Sequence, residues 1–178
     1  MGVNKISYKQ LELLRSLPLA DLGFCGALVL LAFGSCRQTT SLAGKKVLLY
    51  DHNLHVTCGW RFIRNGQILL GSDDIYHRGG TDIRDPEPGE TSVWQTKRQL
   101  ILSGQLGKMT VADLDIGPFQ SISLLFENGI RFQAVPLESP DSSDTELWRA
   151  FATGIDCHLI AKGGQIYLEG EEHQSVVE

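Results

Sequence analysis

The sequence predicts an α+β fold of two similar halves, each one helix followed by about four to five mainly antiparallel strands, packed as a pseudo-symmetric pair. Three observations lead there. The second half restates landmarks of the first in the same order. Ser7-Tyr8-Lys9-Gln10 is matched by Ser92-Val93-Trp94-Gln95, Ala20-Asp21-Leu22 by Ala112-Asp113-Leu114, and Leu30-Leu31-Ala32-Phe33 by Leu124-Leu125-Phe126. Trp60-Arg61 returns as Trp148-Arg149, and Gly66-Gln67-Ile68 as Gly164-Gln165-Ile166. Each half also opens on Ser-x-x-Gln, a helix-start signature. Finally, short apolar runs end at Asn65-Gly66 and Gly163-Gly164, residues that accept the positive φ of tight hairpins.

The elements follow in order. Ser7 and Gln10 open a short amphipathic helix in which Leu11, Leu14 and Leu17 recur until Pro18 stops the run. Residues 19–24 and 27–33 read as strands and 35–44 as a polar loop. Strands at 46–51, 54–63 and 67–70 complete a first unit, residues 1–74. Residues 75–91 form an acidic linker rich in glycine and proline. The second unit, 92–178, begins with a helix from Ser92 to Ser103-Gly104, with Trp94 and Ile101 two turns apart. Strands are expected near 109–116, 121–126 and 130–135, with a turn at Glu127-Asn128-Gly129. Residues 146–152 fit a helix or a strand, and the match of Trp148-Arg149 with Trp60-Arg61 favours strand. A hairpin of 157–161 and 165–169 closes the unit, and the tail from Glu171 is expected to fray.

With 178 residues, 42% hydrophobic and 21% charged, the chain has the composition of an ordinary globular protein. Its longest apolar stretch, 24–33, is half of what a bilayer span requires and lies too far from Met1 for a signal peptide. The expected location is therefore cytoplasmic, without a membrane. Cys25, Cys36, Cys58 and Cys157 show no CxxC spacing, which predicts reduced and mostly buried thiols. The net charge of −5 is unevenly divided: residues 1–89 carry 10 basic and 8 acidic side chains, residues 90–178 carry 6 and 13. An acidic second half disfavours nucleic acid, whose binding rests on Lys and Arg, and attracts a basic protein partner.

Two clusters are candidates for chemistry. His52, His55 and Cys58 are zinc-type ligands within seven residues. On a strand, however, His52 and Cys58 share one face and His55 takes the other, so the expected arrangement is a turn His52, an exposed His55 and a buried Cys58, with no metal. Asp73, Asp74 and His77 could bind a divalent cation or act as acid and base across a cleft. They also stand where acidic residues simply terminate a hairpin. Nucleophile elbows, HExxH, phosphate loops and dinucleotide fingerprints are missing, so the sequence points to no catalytic residue and calls for no cofactor.

The Leu-rich opening helix, the Leu124-Leu125-Phe126 strand before Glu127-Asn128-Gly129, and a Trp-containing strand before the Gly163-Gly164-Gln165-Ile166 hairpin carry a resemblance. Together they are loosely similar to small bacterial α+β proteins of unknown function, a group that includes suspected immunity proteins against polymorphic toxins. The resemblance covers chiefly residues 92–170, with a weaker echo in 7–74. It implies a compact, non-enzymatic, single-partner binder and assigns no residue-level site. The expected function is thus binding of a basic protein through the acidic second half. The alternative is a small-molecule binder or metal-dependent hydrolytic enzyme with a cleft between the two units.

Overall fold

Two antiparallel β-sheets account for most of the chain in a computed structural model that describes residues 8–76, 93–137, 145–170 and 175–176. The protein is mostly β, with two α-helices among the described residues, α1 (Lys9–Glu12) and α2 (Val93–Leu102). The strands are β1 (Leu19–Cys25), β2 (Leu28–Thr40), β3 (Lys46–Val56), β4 (Gly59–Arg64), β5 (Gln67–Gly71), β6 (Val111–Ile116), β7 (Ile122–Phe126), β8 (Arg131–Val135), β9 (Glu146–Ala152), β10 (Cys157–Lys162), β11 (Gln165–Gly170) and β12 (Ser175–Val176). One sheet has the order β1-β2-β3-β9-β10-β11-β12 and the other β5-β4-β8-β7-β6. Each sheet therefore contains strands from both sides of the 75–91 segment: β3 pairs with β9, and β4 with β8.

Strand alternation builds the core. Val29, Leu31, Phe33, Leu54, Val56, Trp148, Ala150 and Leu159 turn inward from the larger sheet. They meet Trp60, Phe62, Leu124, Phe126 and Phe132 from the smaller one, all of them buried. Trp60 stacks on Phe132 at 6.3 Å and meets Trp94 of α2 edge-on at 6.0 Å. Leu11 of α1 and Leu14 in the turn after it are buried too.

Several elements differ from the expectation. The first helix covers only Lys9–Glu12, followed by turns. Its N-cap residue is Tyr8, which makes no side-chain cap bond, and Ser7 lies outside the described residues. Gln10, expected in a capping box, instead donates from Nε2 to Cys157 Sγ at 3.1 Å. The expected strand over 54–63 breaks at Thr57-Cys58, whose amides both bond the Leu147 carbonyl while the chain crosses from one sheet to the other. Two residues of the tail, Ser175–Val176, add a strand opposite Leu168 and Tyr167 rather than fraying. The cysteines are free, as expected, but Cys25 and Cys36 are exposed and Cys58 and Cys157 half-buried.

The largest departure concerns residues 35–44. Only 41–45 form a turn; Ser35 to Thr40 belong to β2, with Cys36 opposite Tyr50 and Thr40 opposite Lys46. A bulge between Phe33 and Cys36 carries the strand onward. Gly34 sits there at φ +84°, where a Cβ would come 2.9 Å from Asp51 Oδ2, and that same carboxylate oxygen accepts the Ser35 amide. The polarity of 35–44 marks a strand solvated on both faces, not a missing strand.

Candidate functional site

The β2–β3 hairpin outgrows its neighbours. β1 pairs with β2 only as far as Phe33, and β9 pairs with β3 only from His52 to Val56. Beyond those points residues 35–50 project as a two-stranded ribbon, with no other strand on either edge among the described residues. Leu48 is 53% exposed on it, and Leu42, in its turn, is fully exposed. The notch between the ribbon and the β9–β10 turn holds a cavity of about 540 Å³. Leu48, Leu49 and Tyr50 form one wall, and Phe151, Ile155, Asp156 and His158 lie on the other side.

Next to the notch, the outward face of β3, β9 and β10 carries a side-chain cluster. The cross-strand partners Phe151 and His158 stack at 4.7 Å, while His55 meets Phe151 edge-on at 4.9 Å. Arg149 Nη1 lies 2.7 Å from His158 Nδ1. Arginine can only donate, so Nδ1 is the acceptor of this contact. Glu146 takes a two-pronged bond from Arg149, at 3.0 and 2.8 Å, and Glu169 approaches the same guanidinium at 3.1 Å.

Residues three apart on a regular strand face opposite ways, so the Glu146–Arg149 pair needs an explanation. The register shifts between Ala161 and Lys162, which face Trp148 and Glu146 and skip Leu147. This bulge turns Glu146 onto the face of Arg149. The bonds to Glu146 are the main cause that holds the Arg149 pKa above the ordinary guanidinium value. Burial is the main cause that lowers the His55 pKa. The cluster is thus a partly desolvated network of ion pairs and rings with Phe151 at its centre.

The sequence-derived candidates distribute differently. His52 lies inside the unbroken β3 rather than in a turn, opposite Phe33 and Ala152 and one strand step out of phase with His55, so β3 does separate the two histidines. Cys58 does not share a face with His52 as expected, because it lies beyond the end of β3 in the crossover. His55 is half-buried rather than exposed, and Cys58 half-buried rather than buried. Among the described residues no group of three His, Cys, Asp or Glu is placed to hold a metal ion.

Asp73 and Asp74 belong to a 3-10 turn, Ser72–Ile75, and Asp74 Oδ2 accepts the Gly71 amide at 2.8 Å. One of the two acids is therefore a helix cap. Both line a second cavity of about 370 Å³, whose walls include Arg61, Ile68 and Leu137. His77 lies outside the described residues. Sequence spacing singles out neither Phe151, Glu146 nor Glu169, and Arg149 enters only through the repeat. The available signal was the alternation of 147–151 and 158–162, which sends Arg149, Phe151, His158 and Ile160 to one face.

Among the described residues no helix is long and apolar enough to cross a membrane. Comparison of the chain with protein-family models, with characterised proteins and with solved structures found no match.

Proposed function

We propose that the chain is a non-enzymatic binding protein, and that the notch between the ribbon and β9–β10 takes an extended, basic segment of a protein partner. Apolar side chains, Leu48, Tyr50, Phe151 and Ile155, supply contact area. Asp156 in the notch, with Glu146 and Glu169 beside it, supplies negative charge from the second half.

The observation that carries this reading is a difference between halves. We read the chain as a duplication whose halves exchange their last strands. β1-β2-β3 continues into β9-β10 in one sheet, and β6-β7-β8 into β4-β5 in the other. Two reciprocal bonds support it, Leu19 N–H to Met109 C=O and Val111 N–H to Leu17 C=O, around the Pro18–Thr110 bridge. So does a pair of arginines: Arg15 reaches Asp113 and the Leu114 carbonyl, and Arg98 reaches Asp21 and the Leu22 carbonyl. What recurs serves the fold. The 13-residue β2 and 11-residue β3 correspond to five-residue strands β7 and β8 joined at Glu127-Asn128-Gly129. Arg149, bonded by two glutamates and a histidine, corresponds to Arg61, which donates to Gln133. These two differences meet at the notch.

Pull-down from native extract at low and high salt tests the reading. A basic partner released by salt and lost on Phe151→Ala is the expected result; an acidic partner, or one indifferent to salt and to Phe151, would overturn it. The second reading, a small-molecule or metal site, draws on the cavity at Asp73 and Asp74. Metal analysis of the purified protein decides for it if zinc or manganese is stoichiometric.

A further inference from the structure

The ribbon itself has the chemistry of the partner just described. Residues 35–50 hold three basic side chains, Arg37, Lys45 and Lys46, and no acidic one, whereas the rest of the chain carries 13 basic and 21 acidic residues. We infer that the segment bound in the notch is the ribbon of a second copy of this chain, added to the free edge of β3 about a twofold axis at Leu48. The inference rests on the binding reading above and names its partner.

Backbone geometry sets the register. The Asp51 carbonyl accepts the Thr153 amide on the β9 side of β3. Along a strand, the amide and carbonyl of every second residue turn to the same edge, so those of Leu49 and Val47 point into the notch. Neither residue has a hydrogen bond on that side among the described residues. Antiparallel pairing with Leu48 opposite Leu48 of the second copy places Val47 opposite Leu49 of that copy and, by symmetry, Leu49 opposite its Val47. All four free donors and four free acceptors at the two-copy junction are then paired. Leu48 forms the close, non-hydrogen-bonded pair on the axis, which buries two exposed leucines against each other.

The same register places Lys46 opposite Tyr50 of the second copy and ends there, since Thr153 already holds the edge of Asp51. Lys45 and Lys46 of each copy thus enter the notch that Asp156 lines in the other, as a closed twofold contact requires. Val47 to Tyr50 contains no charge and no proline, the devices that usually keep an exposed edge from pairing. A two-stranded ribbon is also marginal in water on its own, and pairing makes it four-stranded.

Light scattering of the full chain over a range of concentrations at low salt tests the inference. Wild type should move from 19.6 kDa to twice that mass, and 0.5 M salt should weaken the transition. Leu48→Lys puts two charges on the axis. Val47→Pro removes a notch-facing amide while sparing the bonds to β2. Each should hold the protein at 19.6 kDa with an unchanged circular dichroism spectrum. A wild type that stays monomeric at millimolar concentration, or folded variants that dimerise like wild type, would overturn the inference. Titration of wild type with an alternating Leu-Lys peptide separates the two claims. Binding of the peptide by a persistently monomeric protein rejects the second copy and keeps the notch, and absence of both rejects the notch as well.

Discussion

Trp60 and Trp148 offer a sharp energetic test, because similar burial comes with opposite hydrogen bonding. Trp148 is fully buried and donates from Nε1 to the Gln120 carbonyl at 2.6 Å, tying β9 to the loop between β6 and β7. Trp60 is 3% exposed and its Nε1 has no partner among the described residues. In Trp148→Phe the bond is lost and the Gln120 carbonyl is left without its donor, in addition to the smaller ring. A bond is worth about 0.5–1.5 kcal/mol net and an orphaned group costs about 1–3, so a loss of about 2–3 kcal/mol is expected. In Trp60→Phe the removed N–H was already unsatisfied. Recovering its desolvation, about 1–3 kcal/mol, offsets the lost contacts with Trp94 and Phe132, and stability should stay within about 1 kcal/mol of wild type. Urea denaturation with unchanged m-values measures both. The gap of about 2 kcal/mol corresponds to about 4–8 °C in Tm for a chain of this size. Equal losses, or a larger one at Trp60, would refute the hydrogen-bond reasoning.

Gly34→Ala should cost about 1–3 kcal/mol, since φ is +84° and the new Cβ meets the Asp51 side chain at 2.9 Å; thermal denaturation would show it, and Gly26→Ala, with open space around its Cβ, should cost less. Arg98→Gln should lower stability by about 1 kcal/mol, because its half-exposed ion pair with Asp21 is screened and the contact with the Leu22 carbonyl supplies the rest; an effect above about 3 kcal/mol in the same assay would contradict this account. His55 has a folded pKa below its ordinary 6.5, chiefly through burial and also through Arg149 and His158, with Glu146 opposing. The unfolded chain therefore binds the proton more readily. This contribution to stability is complete above pH 6.5 and is lost as pH falls through the lowered folded value. Urea midpoints between pH 7.5 and 5 should fall less steeply in His55→Gln than in wild type, and parallel curves would refute the assignment.

How much of this was legible beforehand depends on whether the controlling interaction was local. The hairpin at Asn65-Gly66 was readable, since both residues have positive φ, 51° and 76°, as the turn chemistry requires. Helix α2 was readable from Trp94 and Ile101, both buried. The strand state of 146–152 followed from its counterpart at Trp60. Residues 35–40 have the sequence of a loop because solvation on both faces removes the alternation that marks a half-buried strand. The Glu146–Arg149 pair was hidden by a bulge opposite Ala161 and Lys162, a feature of cross-strand register. His55, Phe151 and His158 come from three strands, and only pairing at a separation of about a hundred residues brings β3 to β9. The pairing of β3 with β9 and of β4 with β8 was equally invisible, because the order of elements along a chain does not say which strands pair.

Amide chemical-shift mapping with an alternating Leu-Lys peptide at low salt probes the central claim, recognition at the ribbon and β9–β10, most directly. Shifts concentrated at residues 47–50, Phe151, Asp156 and His158, and reduced by salt, are the predicted result. Shifts centred on Asp73 and Asp74, or none at millimolar peptide, would contradict it.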